Sequence, residues 1–294
     1  MADDARTAAA AVREVAPLPD VLIEPIVRAA LAEDLGRAGD ITSEACIPAG
    51  TRFAAVFAAR GEGVVAGLAC ARIAVLAMDP AARFEALTAD ATPVRPGHVL
   101  ARVEADARAL LSAERVALNL YGHLSGVASL TALYVAAVAG TRARIIDTRK
   151  TTPGLRALEK YAVRCGGGDN HRFGLDDAIL IKDNHVAACG GVGPALQRAR
   201  ARAGHMVKIE VEVDSLAQLD EALPHRPDVI LLDNFSLDDM RRAVKIVAGR
   251  AVLEASGRVN LSTVRAIAET GVDLISAGAL THSAPVFDIG LDEA

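Results

Sequence analysis

The chain has 294 residues, of which 52% are hydrophobic, 23% charged and only 3% aromatic, with no Trp, so its core must be built mainly from Ala, Val, Leu and Ile. A formal net charge of -5 argues against a nucleic-acid binder but leaves room for a local basic pocket that takes an anionic small molecule. Four widely spaced cysteines (Cys46, Cys70, Cys165 and Cys189) contain no CxxC pair, which argues against a zinc site or a disulfide framework and suits a reducing compartment.

The opening MADDARTAAAAVREVAPLPD carries Asp3 and Asp4 where a signal peptide needs positive charge, so residues 1–20 are expected to be a disordered tail. No stretch approaches the ~18 uninterrupted apolar residues of a membrane span. A cytoplasmic protein with neither a membrane nor a nucleic-acid partner is expected.

Residues 21–140 read as an irregular α/β domain. DVLIEPIVRAALAEDLG has the spacing of an amphipathic helix with Asp20 as N-cap. FAAVFAAR reads as a strand, VVAGLACARIAVLAMD as a mostly buried helix, and FEALTAD and VLARVEA as further strands around a Pro96-Gly97 turn. A long helix then runs from a Ser112 cap to Gly140 and leads into the next domain.

Residues 141–280 have a regular rhythm. The apolar runs ARIID, AILIK, VKIEVEV, DVILLD, AVLEA and DLISAG each precede a helical stretch, as parallel strands buried on both faces do. Every run ends in polar or small groups: Asp147 to Lys150, Lys182 to His185, Glu210 and Glu212, Asp233, Glu254 with Ser256 and Gly257, and Ser276 to Gly278. In a (β/α) barrel such ends converge on one face, where active sites of that architecture lie, whereas a doubly wound sheet gathers them at only one crevice. The barrel is therefore expected, with residues 281–294 returning to the first domain.

Three groups of residues face one another on this reading. Arg149, Lys150 and Lys182 follow buried strands, where a charge is costly unless matched by an anion. Arg156 and Lys160 are read as solvated helix charges, on a helix with Pro153 in its first turn and Gly166 as C-cap. Glu210 and Glu212, two apart in a strand, share a face, and with Asp233 they suit salt bridges, sugar hydroxyls or Mg²⁺. Ser256-Gly257 and Ala277-Gly278 sit where late barrel loops bind phosphate. Between the first two strands, RCGGGDNHR sets three glycines before His171 and Arg172. Together these describe a site for a phosphorylated sugar and a second anionic reactant. No Ser-His-Asp order, HExxH or Walker A motif competes, although Lys182 raises a Schiff-base aldolase as an alternative.

The motifs AERVALNLYGHLSGVAS, DTRKTTPGLRALEKYAV, CGGGDNHRFGLDDAILIKDNH, EVEVDSLAQL, DVILLDNF, EASG and SAGALTHS resemble the quinolinate phosphoribosyltransferase family over nearly the whole chain. The resemblance implies an N-terminal α/β sandwich domain joined to an open α/β barrel of the type II phosphoribosyltransferase kind. It also implies a homodimer that completes its active site across the interface, with assembly beyond the dimer left open. The implied reaction joins quinolinate to 5-phosphoribosyl-1-pyrophosphate with Mg²⁺, giving nicotinate mononucleotide, CO₂ and pyrophosphate, a step of de novo NAD synthesis.

By the same resemblance, Arg149, His171 and Arg172 bind the quinolinate carboxylates, and Arg115 comes from the partner chain. Planar guanidinium forks suit paired carboxylates. Lys150 and Lys182 stabilise the departing pyrophosphate. Glu212 and Asp233 hold the ribose hydroxyls and Mg²⁺, directly or through water, and favour positive charge on the ribose as its C1–O bond breaks. Ser256, Gly257, Ala277, Gly278 and His282 match the phosphate loops, and Arg258 stands where many relatives have Gly. The rival readings are a paralogue of the family encoded with molybdenum-transport systems, the Schiff-base barrel, and a non-catalytic ligand-binding barrel.

Overall fold

The computed structural model describes residues 15–294, so most of the expected tail, residues 1–14, lies outside the described residues. Helix α1 (Asp20–Leu35) buries Ile23, Val27 and Leu31, the four-residue spacing of one helix face. Asp20 does not cap this helix; it lies in the first turn and accepts from the Arg72 guanidinium at 2.7 Å. Then follow α2 (Ile41–Cys46), β1 (Arg52–Ala59), β2 (Gly63–Val64), α3 (Leu68–Met78), β3 (Arg83–Ala86), β4 (Pro93–Val94) and β5 (Val99–Asp106).

Helix α4 (Ala107–Ala137) begins five residues before the expected Ser112 cap. The Asp106 carboxylate accepts from the Ala109 amide at 3.1 Å, and Ala107 to Leu111 are good helix formers, so the helix extends back to the first competent cap. Ser112 lies inside it and donates to the Arg108 carbonyl. Among the described residues α4 is the one helix long and apolar enough to cross a membrane, but more than half of its apolar window is buried inside the protein. It packs against α3 on one side and the barrel's first helix on the other.

The second half comprises β6 (Arg144–Ile146), α5 (Arg156–Cys165), β7 (Ile179–Ile181), α6 (Asp183–Cys189), α7 (Val192–Arg202), β8 (Ile209–Val213), α8 (Leu216–Ala222), β9 (Val229–Asp233), α9 (Leu237–Val247), β10 (Val252–Ser256), α10 (Val264–Ala268), β11 (Leu274–Ser276), α11 (Ala279–His282) and β12 (Ile289–Glu293). Pro153 precedes α5 by three residues and so stands in the turn before it, whereas Gly166 does form its C-cap.

Two main sheets result. The first is antiparallel with order β12-β1-β5-β3, so the C-terminal strand returns to the N-terminal sheet. The second is parallel with order β6-β11-β10-β9-β8-β7. Its six strands are the six apolar runs of the sequence, and its ends, β6 and β7, do not pair, which makes the barrel open, as expected. One face of its strands, including Val211, Ile230, Leu232, Ala255 and Ile275, is sealed in the core. The other face carries Glu210, Glu212, Glu254 and Ser256, set at the two-residue period of a strand.

Candidate active site

The gap between β6 and β7 is partly filled by the chain that follows the three glycines. Asp169 forms an isolated parallel bridge with Ile146, its amide donating to the Ile145 carbonyl at 2.9 Å. Gly167 has φ +88°, in the left-handed region. A Cβ on Gly166 would lie 2.3 Å from the Ala128 carbonyl oxygen, and one on Gly168 would lie 2.9 Å from Thr131 Cγ2, so these two glycines let the segment lie directly on α4.

A buried ion pair holds the segment from beneath. Lys160 and Asp147 are both fully buried and in contact, and Lys160 Nζ also donates to the His171 carbonyl at 2.9 Å. Asp147 accepts from the His171 amide at 2.9 Å and from Asn170 Nδ2 at 2.6 Å. Burial pushes the Asp147 carboxyl up and the Lys160 amine down, and each charge opposes that shift in the other. Lys160 is therefore not a solvated helix charge. Arg156, partly exposed, donates to Thr151 Oγ1 and to the Phe173 carbonyl. Glu159, also buried, joins His123 of α4 at 2.9 Å to the Thr152 amide at 3.0 Å and so fixes the loop after β6.

These supports carry His171 and Arg172 into the barrel. Both His171 ring nitrogens are engaged within the chain: Nδ1 accepts from the Arg172 amide at 2.7 Å, and Nε2 lies 3.0 Å from Glu210 and 3.6 Å from Glu254. Burial disfavours charge on His171, but the Glu210 hydrogen bond and both carboxylate charges outweigh it and raise its pKa. Arg172 donates from one Nη to the Ala178 carbonyl at 2.8 Å. Its pKa is lowered by burial and by the charge of Arg149, which places the two guanidiniums in each other's field. The Nε atoms of Arg149 and Arg172 are buried and have no hydrogen-bond partner among the described residues. Burial and the Glu210 charge push the Glu254 carboxyl up to about 8, against the pull of His171 and Ser276. A cavity of about 620 Å³ lies beside this group, lined by Arg144, Arg172 and Lys208 among others.

At the carboxyl ends of the strands, Lys182 Nζ meets Glu212 at 3.2 Å with its side chain half exposed. An amine so solvated and paired is not the desolvated lysine that Schiff-base chemistry needs. Asp233 accepts from Asn234 Nδ2 at 2.8 Å, and Asn234 packs on Gly257, where a Cβ would lie 2.3 Å from its Oδ1. The acidic rim and the Ser256-Gly257 turn thus meet. Lys150 and His282 both lie against Gly278, so close that a Cβ there would be 3.0 and 3.2 Å from them. The Ala277 amide is used in the sheet, donating to Ile146, so its backbone N–H is not free for a phosphate. Arg258 has φ +52° and is exposed.

Arg115 is exposed on α4, in one row with Leu111 and Asn119. Among the described residues no hydrogen bond or ion pair of the site reaches it. The structure also gives weight to residues that the sequence did not assign to the site: Lys160, Glu159 and Asp147 as supports, and Glu254 as the partner of His171. The available signal for Glu254 was an acid inside the apolar run AVLEA, on the same face as Ser256.

The family described as quinolinate phosphoribosyl transferase matches twice, its N-terminal domain over residues 40–125 and its C-terminal domain over residues 127–292. The chain is 48% identical over 274 residues to the nicotinate-nucleotide pyrophosphorylase [carboxylating] of Mycobacterium leprae, covering 90% of this chain and 95% of that protein. It is 45% identical over 260 residues to the probable nicotinate-nucleotide pyrophosphorylase [carboxylating] of Bacillus subtilis, covering 88% and 89%. The crystal structure of NadC from Streptococcus pyogenes superposes with a TM-score of 0.91 at 40% identity, covering 94% of this chain and 98% of that one. The chain belongs to the quinolinate phosphoribosyltransferase family.

Proposed function

We propose that this chain joins quinolinate to 5-phosphoribosyl-1-pyrophosphate and releases nicotinate mononucleotide, CO₂ and pyrophosphate. The observation that carries this reading is that the Nε atoms of Arg149 and Arg172 are buried and have no acceptor among the described residues. Buried donors are ordinarily satisfied, and two forks side by side suit a ligand with two adjacent carboxylates.

The quinolinate nitrogen attacks C1 of the ribose, and the C1–O bond breaks with its electron pair leaving on pyrophosphate. Lys150 and Lys182 offset the charge that gathers there. Glu212 and Asp233 favour the positive charge that develops on the ribose. Their hard carboxylate oxygens, together with phosphate oxygens of the substrate, fit Mg²⁺, which when bound neutralises pyrophosphate charge. The ribosylated ring nitrogen is cationic, so it accepts the electron pair of the C2–carboxylate bond as CO₂ departs, and solvent supplies the proton to C2. No protein base is required; positioning and electrostatics suffice.

Ser256, Gly257, Gly278 and His282 form the phosphate rim, with Ala277 contributing small size and not its amide. Arg115, exposed on α4 and joined to the site of its own chain by no hydrogen bond or ion pair among the described residues, is read as completing the site of a partner in a homodimer. A cytoplasmic location accords with two soluble anionic substrates.

Replacing Arg149 with Ala tests the carboxylate clamp. The reading expects quinolinate KM to rise at least about thirtyfold, since a charged hydrogen bond is worth roughly 2 kcal/mol or more, with the KM for phosphoribosyl pyrophosphate nearly unmoved. An unchanged quinolinate KM would overturn it.

A further inference from the structure

We propose that Glu254 is a positioning residue: it stands as a neutral acid beside Glu210, and the pair anchors His171 so that the neighbouring Arg172 keeps its place at the substrate carboxylates. The proposal rests on the reading that Arg149 and Arg172 bind those carboxylates.

The ring of His171 fixes the direction of the argument. Because Nδ1 accepts the Arg172 amide at 2.7 Å, the ring proton sits on Nε2, which faces Glu210 at 3.0 Å and Glu254 at 3.6 Å. The ring nitrogen and the two carboxylate oxygens lie within 4.8 Å of one another. One ring N–H thus faces two carboxyl groups, with the Ser276 hydroxyl as a further partner of Glu254, and each carboxyl keeps one buried oxygen with no hydrogen-bond partner among the described residues. Two ionised carboxylates this close and this buried repel; a proton on one turns it into a donor and removes the repulsion.

Glu254 is the member that takes the proton. Glu210 lies in the field of the Arg172 charge, whereas Glu254 is the more deeply buried of the two, 1% exposed against 7%. The sheet neighbours of Glu254 are apolar, Leu231 on β9 and Leu274 on β11. Its raised pKa agrees with this assignment. The titratable and charged groups that face it are Glu210 from β8 and His171 from the gap segment. Arg144, Asp169, Arg172, Asp177 and Lys208 line the adjoining cavity.

The state of Glu254 matters for function because the pocket must remain positive. Ionised, Glu210 and Glu254 together would offset the Arg172 charge and compete with an anionic substrate for it. With Glu254 neutral, the net positive charge is left for the ligand, and His171 still holds both the Arg172 backbone and Glu210. Glu254 touches no substrate on this account; it acts through His171.

The test is steady-state kinetics of the full chain with Mg²⁺ from pH 6 to 9.5, for wild type, Glu254→Gln, Glu254→Ala and Arg172→Lys. For wild type, kcat/KM for quinolinate should fall about tenfold per pH unit above pH 8, as one ionisation predicts. Glu254→Gln, which mimics the neutral acid, should lack that limb and recover most of the activity that Glu254→Ala loses at pH 7. Glu254→Ala should raise quinolinate KM about tenfold or more while the KM for phosphoribosyl pyrophosphate moves less than about twofold. If Glu254→Ala does not fold, the pH profiles of wild type and Glu254→Gln still decide. Superimposable profiles, or a Glu254→Gln as impaired at pH 7 as Glu254→Ala, would overturn the role of Glu254. A normal quinolinate KM in Arg172→Lys would overturn the carboxylate reading and this proposal with it.

Discussion

Lys160 and Asp147 form a fully buried ion pair, and between them they hold the backbone of His171 by both its amide and its carbonyl. The position of the basic residues in the barrel thus depends on a contact between the first barrel strand and the first barrel helix. Replacing Lys160 with Met leaves Asp147 buried and unpaired, which should cost about 3–5 kcal/mol of stability in chemical denaturation. Adding Asp147→Leu should recover part of that loss. A single variant as stable as wild type would show that the pair carries no such constraint.

The three glycines separate into two roles that substitution can resolve. Gly166→Ala forces a Cβ against the Ala128 carbonyl, so it should cost about 3 kcal/mol and raise quinolinate KM as the segment shifts. Gly167→Ala meets only Val135 at 3.7 Å, and its penalty, about 1 kcal/mol, comes from the left-handed backbone. Thermal melts and quinolinate KM measured on both variants check the order; equal effects would contradict it.

The charged stripe of α5 shows where the sequence misleads. Arg156, Lys160 and Arg164 recur every four residues, the pattern of a solvated helix face. In the fold that face meets the gap segment, and the carbonyls of His171 and Phe173 replace water. Those acceptors come from backbone 11 and 17 residues further along the chain, which no side-chain pattern announces. The six parallel strands were legible because each is a continuous apolar run, and the acids at the end of β8 because a two-residue period puts Glu210 and Glu212 on one face. The expected caps at Asp20 and Ser112 failed where a neighbouring residue served as well or a tertiary ion pair claimed the carboxylate. Engagement of both His171 nitrogens within the chain depends on three separate segments meeting, and no local signal carries it.

Glu254 also predicts a pH dependence of stability. Its folded pKa of about 8 stands above the ordinary 4.5, so the stabilising contribution of its proton is complete below about pH 4.5. That contribution is lost as pH rises toward 8 and is absent above it. Compared with Glu254→Gln, wild type should lose stability between pH 5 and 8, with the gap level beyond. Denaturation midpoints measured at several pH values check this, and a constant gap from pH 5 to 9 would contradict it.

A shared active site has a direct consequence for mixtures. Arg115→Ala and Lys150→Ala should each be nearly inactive alone, while hybrid dimers should regain up to about half the activity of a wild-type dimer, because one of the two sites then carries both intact residues. Hybrids isolated by differential tagging and still inactive would contradict completion by a partner chain.

The most direct test of the central claim is product formation by the purified protein with Mg²⁺ and phosphoribosyl pyrophosphate, offered quinolinate and, separately, nicotinate. The account predicts nicotinate mononucleotide from quinolinate alone, with one CO₂ released for each molecule formed. No product from quinolinate, or a preference for nicotinate, would contradict it.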